Sequence, residues 1–308
     1  MNVDRVVLAS DDSPQFLNFW PLAATSWNKV FGITPTLALV SKDEIKGSVL
    51  RKLSEFGEVI QHVSLSEAPI PNQAKMFRWF VATKFHTSVT TIEDIDTIFL
   101  TPDYLLKKLE FFEGDKLLGI GDDVNQEDDR YTGKFPASNL TGTGEIFAQF
   151  FGTHQSETFE SFLYRFKGLN VVDTREDPFN EPRDFSDESL IRALRQKSPK
   201  NLIKTIPRDV DIHFKWMDRS WWPKDGTMPS GAILANMPRP LYNNFNKCEE
   251  LIKLHFPTEY PWIYPRRSRI WENPDSSLRI NFQLLLYRIN KIKSLKKIIF
   301  AKKEVKND

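Results

Sequence analysis

Short apolar runs alternate with helix-period segments through the first 120 residues. Arg5-Val-Val-Leu-Ala-Ser10 reads as a buried strand that ends in polar Ser10-Asp11-Asp12. From Pro14 to Phe31 the apolar positions Phe16, Phe19, Trp20, Ala23, Ala24, Trp27 and Phe31 fall at helical spacing, with Asp12 or Ser13 placed to cap the start and Gly32 the end. A second strand is predicted over 36–40, a helix over 42–56 and a third strand over 58–63. A helix over 71–85 carries Met76, Phe77, Phe80 and Val81 on its apolar side. Residues 89–100 read as one strand, 102–112 as a helix and 116–120 as a strand. The alternation predicts an α/β fold, a mostly parallel sheet flanked by helices with a nucleotide-binding, Rossmann-like topology. In such sheets ligands sit at the carboxyl ends of the strands.

Past residue 120 the pattern loosens. Residues 121–143 are polar and rich in Asp, Asn and Gly, as in a loop that shapes a pocket, and Leu140-Thr-Gly-Thr-Gly144 reads as a turn. It lacks the glycine spacing of a phosphate-binding loop. Apolar, aromatic segments follow at 144–151 and 158–166, and Ser186-Asp-Glu-Ser189 opens a helix through Arg195. The stretch from Pro207 to Pro274 is rich in proline and tryptophan and reads as an irregular cap. The expected organisation is one domain over 1–240 in two halves, 1–120 and 121–240. Residues 241–308 form an extension.

Composition is ordinary for a soluble globular chain, with a net charge of +1 that gives no general bias toward nucleic acid. The charge is unevenly placed. From Arg279 to the end there are nine Lys/Arg against two acids, so an acidic body carries a basic tail. In that tail Phe282, Leu285, Leu286, Ile289, Ile292, Leu295 and Ile299 recur at helical spacing. A basic amphipathic helix over 279–303 suits peripheral contact with an anionic membrane, and it equally suits packing on the body with a solvated lysine face. A single cysteine, Cys248, excludes an intrachain disulfide framework and a cysteine-based zinc site. No signal-peptide pattern and no apolar run of about 20 residues is seen. The expectation is a cytoplasmic protein, or one bound peripherally to the cytoplasmic face of a membrane.

The chemistry concentrates in Thr91-Ile-Glu-Asp-Ile-Asp96, an acidic triplet inside an apolar strand pattern. On an extended chain Asp94 and Asp96 point the same way. Two hard oxygen ligands at a strand end, with positions left over, suit Mg²⁺ or Mn²⁺ carrying a substrate diphosphate. Solvated acids at a strand-to-loop junction would give the same spacing. Lys75 and Arg78 lie three apart on one helical face, where they suit phosphate. Together with Gln73 they also suit the solvated side of an amphipathic helix. Asp187 and Glu188 open a helix whose positive end favours carboxylates, and either a general base or an N-cap fits that place. Trp216, Trp221 and Trp222 suit stacking on a sugar or ordinary packing.

With these residues in view, the chain resembles the GT-A-fold nucleotide-sugar glycosyltransferases of the D-x-D type, over about residues 3–240. The matching features are the first strand Val6–Ser10, the helix with Lys75 and Arg78, the Thr91–Asp96 strand and the late helix opening with Asp187-Glu188. The resemblance implies a donor that is a nucleoside-diphosphate sugar, a UDP-sugar favoured, and a glycan, lipid-linked or protein acceptor. It implies Mn²⁺ (or Mg²⁺) on Asp94 and Asp96, nucleotide on Ser10 and Asp11, and donor phosphates or sugar on Lys75 or Arg78. Many members complete the metal shell with a late histidine. The corresponding segment here, Gly231 to Pro240, offers Asn236 as a ligand and Arg239 toward the diphosphate, with His213 an alternative ligand. Asp187, Glu188 and Arg78 are the candidate catalytic residues. Two other classes stay in view. A nucleotidyltransferase is disfavoured by the acidic, glycine-free Ser10-Asp-Asp-Ser-Pro14. An inactive member would bind a glycan or partner without turnover.

Overall fold

The computed structural model describes residues 2–120, 137–168, 177–181, 185–197, 202–206, 216–217, 234–237, 239, 245–258 and 260. All of these lie in the first of two compact units, Met1–Tyr264 and Pro265–Asp308. His213, Trp221, Trp222 and the basic tail over 279–303 fall outside the described residues.

The sequence folds as expected into a mixed α/β layer structure. A seven-stranded sheet runs in the order β3 (Glu58–Val63), β2 (Thr36–Ser41), β1 (Arg5–Asp11), β4 (Val89–Asp94), β7 (Leu140–Thr143), β6 (Leu117–Ile120), β8 (Ile203–Ile206). Neighbouring pairs are parallel except where β7 runs against β4 and β6. The chain builds outward from β1 to β3, then returns to place β4 on the other side of β1. That reversal leaves a crevice at the carboxyl ends of β1 and β4. A second sheet joins β5 (Thr97–Phe99), β10 (Leu234–Asn236) and β9 (Trp216–Met217).

The core explains the strand sequences. β2 is buried along its whole length and β1 nearly so, as continuous apolar runs demand when helices cover both faces. The central helix is α4 (Ile70–Thr83), of which eleven residues are buried, Phe77, Trp79 and Phe80 among them. Phe80 packs with Phe159 and Phe162, and Trp79 stacks on Phe151. These partners belong to α6 (Gly144–Phe151) and α7 (Phe159–Tyr164).

Four boundaries differ from the sequence reading, each for a local reason. The helix expected over 14–31 is broken into α1 (Pro14–Leu17) and α2 (Trp20–Phe31), because Pro21 cannot continue a helix through the preceding turn. Gly32 ends α2 in the left-handed conformation, φ 69°, as expected. The helix expected over 42–56 is only α3 (Gly47–Ser54), because the Ser41 hydroxyl donates to the Asp43 carbonyl and turns the chain first. Leu140–Thr143 is strand β7 rather than a turn. A side chain on Gly142 would collide with Leu117, so glycine lets the strands close up. The strand expected over 89–100 is two strands in two sheets, with Ile95 and Asp96 in a turn between β4 and β5.

Candidate active site

A cavity of ≈ 310 Å³ opens at the carboxyl ends of β1 and β4, the size of a small-ligand site. Its lining brings together nine of the ten sequence-predicted site residues: Ser10, Asp11, Lys75, Arg78, Asp94, Asp96, Asp187, Glu188 and Arg239. The tenth, Asn236, lies on β10 outside that lining, and its amide oxygen accepts a hydrogen bond from Thr97 Oγ1 at 2.8 Å.

Arg78 organises the cavity. It sits on α4 with only 5 % of its surface exposed, so it is not the solvated side of an amphipathic helix. Gln73, assigned to that side with it, is fully buried too and ties down the preceding loop through Leu65 and Ala68. Burying a guanidinium costs several kcal/mol (roughly) unless carboxylates compensate. Two do: Nη1 donates to Asp94 Oδ1 at 2.7 Å and Nη2 to Asp187 Oδ2 at 2.8 Å. Burial pulls the guanidinium pKa down, but Asp94 and Asp187 outweigh it and the net direction is up. Arg78 therefore stays charged while its fork ties β4 to α8 (Asp187–Lys197). Its third nitrogen, Nε, is buried without a hydrogen-bond partner among the described residues. Lys75 approaches the other oxygen of Asp187, 3.5 Å from Oδ1. The Ser186 hydroxyl accepts from the Ser189 amide and so caps α8, which leaves the Asp187 carboxylate to the cations.

Asp96 is fully buried, and its Oδ2 accepts from Arg239 Nε at 2.5 Å. The Arg239 guanidinium also lies over the Phe16 ring, 4.8 Å from its centre. Burial lowers the pKa of Arg239, but Asp96 overrides this and raises it. On β1, burial raises the Asp11 carboxyl pKa, opposed by a hydrogen bond from the Ser13 amide at 3.0 Å. Asp94 and Asp96 reach one cavity, although not by strand alternation: Asp94 ends β4 and Asp96 sits in the turn beyond it.

The lining offers carboxylate oxygens, the ligand type of hard divalent cations. Among the described lining residues, five acids (Asp11, Asp94, Asp96, Asp187, Glu188) face three bases (Lys75, Arg78, Arg239). With all of them ionised the wall is doubly negative, and a diphosphate would meet repulsion without added positive charge. No group of three His, Cys, Asp or Glu among the described residues has metal-holding geometry. Two carboxylates are what an ion needs when it keeps waters and shares itself with substrate phosphates.

Sequence reasoning missed part of the lining: Ala9, Phe16, Pro71, Ala74, Ile95, Ala137 and Ser138. Phe16 read as helix core and Pro71 as a helix start, and Ala74 fell in that helix without being singled out. Ala137 and Ser138 lay within 121–143, the segment read as a pocket-shaping loop, though neither residue was singled out. Also unanticipated was a buried pair behind β4, Glu93 and Lys108, on α5 (Asp103–Glu110). Burial lifts the Glu93 carboxyl to about 7 and drops the Lys108 ammonium to about 8, each opposed by its partner's charge.

Fold and cavity together define an α/β protein with an acidic, arginine-braced cavity at its topological switch point. No family model matches the sequence, and no curated protein matches it. Solved structures do align with it. The glycosyltransferase GlyE of Streptococcus pneumoniae TIGR4 is 17% identical, with a TM-score of 0.40 over 66% of this chain and 45% of that one. The chain thus spans less than half the length of that structure. LgtC, a galactosyltransferase solved with donor and acceptor sugar analogues, is 11% identical with a TM-score of 0.44, over 76% and 86% of the two chains. A glucose-1-phosphate thymidylyltransferase of Bacillus anthracis, described as putative and solved with sucrose, is 14% identical with a TM-score of 0.36, over 67% and 86%. At such identities and scores the likeness is one of fold at most, and it says nothing of substrate. Among the described residues no helix is long and apolar enough to cross a membrane.

Proposed function

We propose that the protein is a metal-dependent glycosyltransferase, moving a sugar from a nucleoside-diphosphate donor of the UDP type to a glycan, lipid-linked or protein hydroxyl. One observation carries this reading. Around a single cavity, two carboxylates two residues apart are joined by a buried arginine that braces one of them against a third carboxylate.

Mn²⁺ or Mg²⁺, held by Asp94 and Asp96 with the donor phosphates, would supply positive charge where the leaving diphosphate gathers negative charge. Asn236 is left out of this ligand set because it lies outside the cavity lining, its amide oxygen turned to Thr97. Arg78, braced between two carboxylates, presents a fixed guanidinium edge and needs no reorganisation as charge develops. Lys75, with over a third of its side chain exposed, is the more accessible cation on the same helix. Arg239 reaches the diphosphate side, and Ser10 and Asp11 at the end of β1 bind the nucleoside. Asp187 serves chiefly to hold Arg78 and Lys75, so deprotonation of the acceptor hydroxyl falls better to Glu188 in the same helical turn.

The reading is tested by nucleoside-diphosphate release from a matched donor and acceptor with Mn²⁺. Asp94→Asn and Asp96→Asn should each lower kcat/KM by about 10²-fold or more, the scale of losing one electrostatic contact to a developing charge. Wild-type turnover in both variants would sink it. Donor binding without any turnover by the wild-type protein would mark a binding member of the fold instead.

A further inference from the structure

We propose that the buried cluster of Glu93, Lys108, Tyr104 and Asn139 is a positioning device, fixing the acid-bearing end of β4 against the Ala137–Ser138 wall of the cavity. This rests on the reading of the cavity as a nucleotide-sugar site.

None of the four residues is among the described lining of the cavity. Glu93 and Lys108 are 1 % and 0 % exposed, with Lys108 Nζ 3.6 Å from Glu93 Oε1. A buried ion pair is a poor source of stability, since apolar side chains of similar volume do as well or better. Its value lies in what it fixes. Lys108 Nζ also donates to Thr91 Oγ1 at 3.3 Å, and Thr141 Oγ1 donates to the same hydroxyl at 2.8 Å. β4, β7 and α5 are therefore locked together through one polar network.

Asn139 connects that network to the cavity. Its side-chain amide lies against Tyr104 Oη at 2.7 Å and against the Glu93 carboxylate, and turned so that its nitrogen faces that carboxylate it donates to the two oxygens at 2.5 and 2.9 Å. Its backbone is in the left-handed region, φ 68°, and no other non-glycine residue among those described has a positive φ. Such a conformation is strained for any residue with a side chain and persists where the surroundings impose it. Its backbone amide donates to the Ile92 carbonyl at 2.8 Å. The two residues before it, Ala137 and Ser138, line the cavity, and Ala137 accepts from Trp79 Nε1 at 3.4 Å. On the β4 side, Glu93 is the immediate neighbour of Asp94 and, by strand alternation, points to the opposite face. Displacing Glu93 therefore displaces Asp94, and displacing Asn139 displaces the facing wall.

Three variants separate positioning from plain stability. Asn139→Gly keeps the left-handed backbone and removes the amide, Tyr104→Phe removes one of that amide's contacts, and Leu53→Ala is a destabilised control buried in α3 and absent from the cavity lining. The probes are UDP, GDP, CDP and dTDP, each with Mn²⁺, measured by calorimetry beside thermal unfolding; the one the wild-type protein binds most tightly is used. Asn139→Gly should weaken its binding about tenfold and Tyr104→Phe about threefold, a sub-ångström misplacement being enough for losses of this order. Leu53→Ala should stay within about twofold at an equal or larger loss of Tm. Asn139→Gly binding as tightly as Leu53→Ala overturns the proposal while leaving the nucleotide site standing. Wild-type protein that binds none of the four overturns both.

Discussion

Arg78 is where residue chemistry most constrains the account. A guanidinium can bridge Asp94 and Asp187 with two separate nitrogens, whereas an ammonium offers one point of charge. Arg78→Lys should therefore keep the charge balance yet lose the brace, lowering kcat/KM by about 10²-fold with a stability loss of only about 1–2 kcal/mol. Steady-state kinetics beside urea unfolding measures both, and unchanged kinetics would remove Arg78 from the site. The types of the site residues were readable in the sequence, because acids two apart and cations three apart carry their own chemistry. Their partners were not. Whether Arg78 was solvated or buried depended on residues more than 100 positions away in α8, which spacing along one helix cannot reveal.

At the scale of elements, the order of strands and helices through residue 120 followed from apolar periodicity. Boundaries failed where a local hydrogen bond or proline overrode it, as at Ser41 and Pro21. The acidic triplet is the instructive case. Read as one strand, it left Glu93 without an explanation; split between β4 and a turn, it sends Asp94 and Asp96 to the cavity and Glu93 to Lys108. That pair makes stability depend on pH in a definite sense. The Glu93 carboxyl is raised from 4.5 to about 7, so its contribution is full below pH 4.5 and is lost as pH rises toward 7. The Lys108 ammonium is lowered from 10.5 to about 8, so its charging opposes folding below pH 8 and that penalty fades from 8 to 10.5. The pair contributes least between pH 7 and 8. Lys108→Met should accordingly be neutral or stabilising at pH 5, where it removes a buried ammonium beside a protonated Glu93, and destabilising at pH 7.5, where Glu93 loses its counter-charge and has to take up a proton to stay buried. Adding Glu93→Gln should recover most of that loss. Urea unfolding at the two pH values reads the difference, and an equal cost at both would show that the pair does not titrate as described.

For the whole molecule, the decisive quantity is the charge of the cavity. Among the described lining residues five acids face three bases, which with all of them ionised is an excess of two negative charges at the point where β1 and β4 end, and an anionic donor has to overcome it. None of this balance shows in the net charge of +1, which averages an acidic body with a basic tail. The central claim is thus that nucleotide and divalent cation bind together or scarcely at all. The most direct measurement is a thermal-shift panel of UDP-, GDP-, CMP- and dTDP-sugars, each with Mn²⁺ and with EDTA. Ligands that bind the native state raise its stability by mass action, by about 2.7 kcal/mol at a hundredfold excess over Kd. The account predicts a clear rise in Tm for one nucleotide class, UDP-sugars foremost, with Mn²⁺ and little or none in EDTA. An equal rise in EDTA, or no rise with any nucleotide in Mn²⁺, would contradict it.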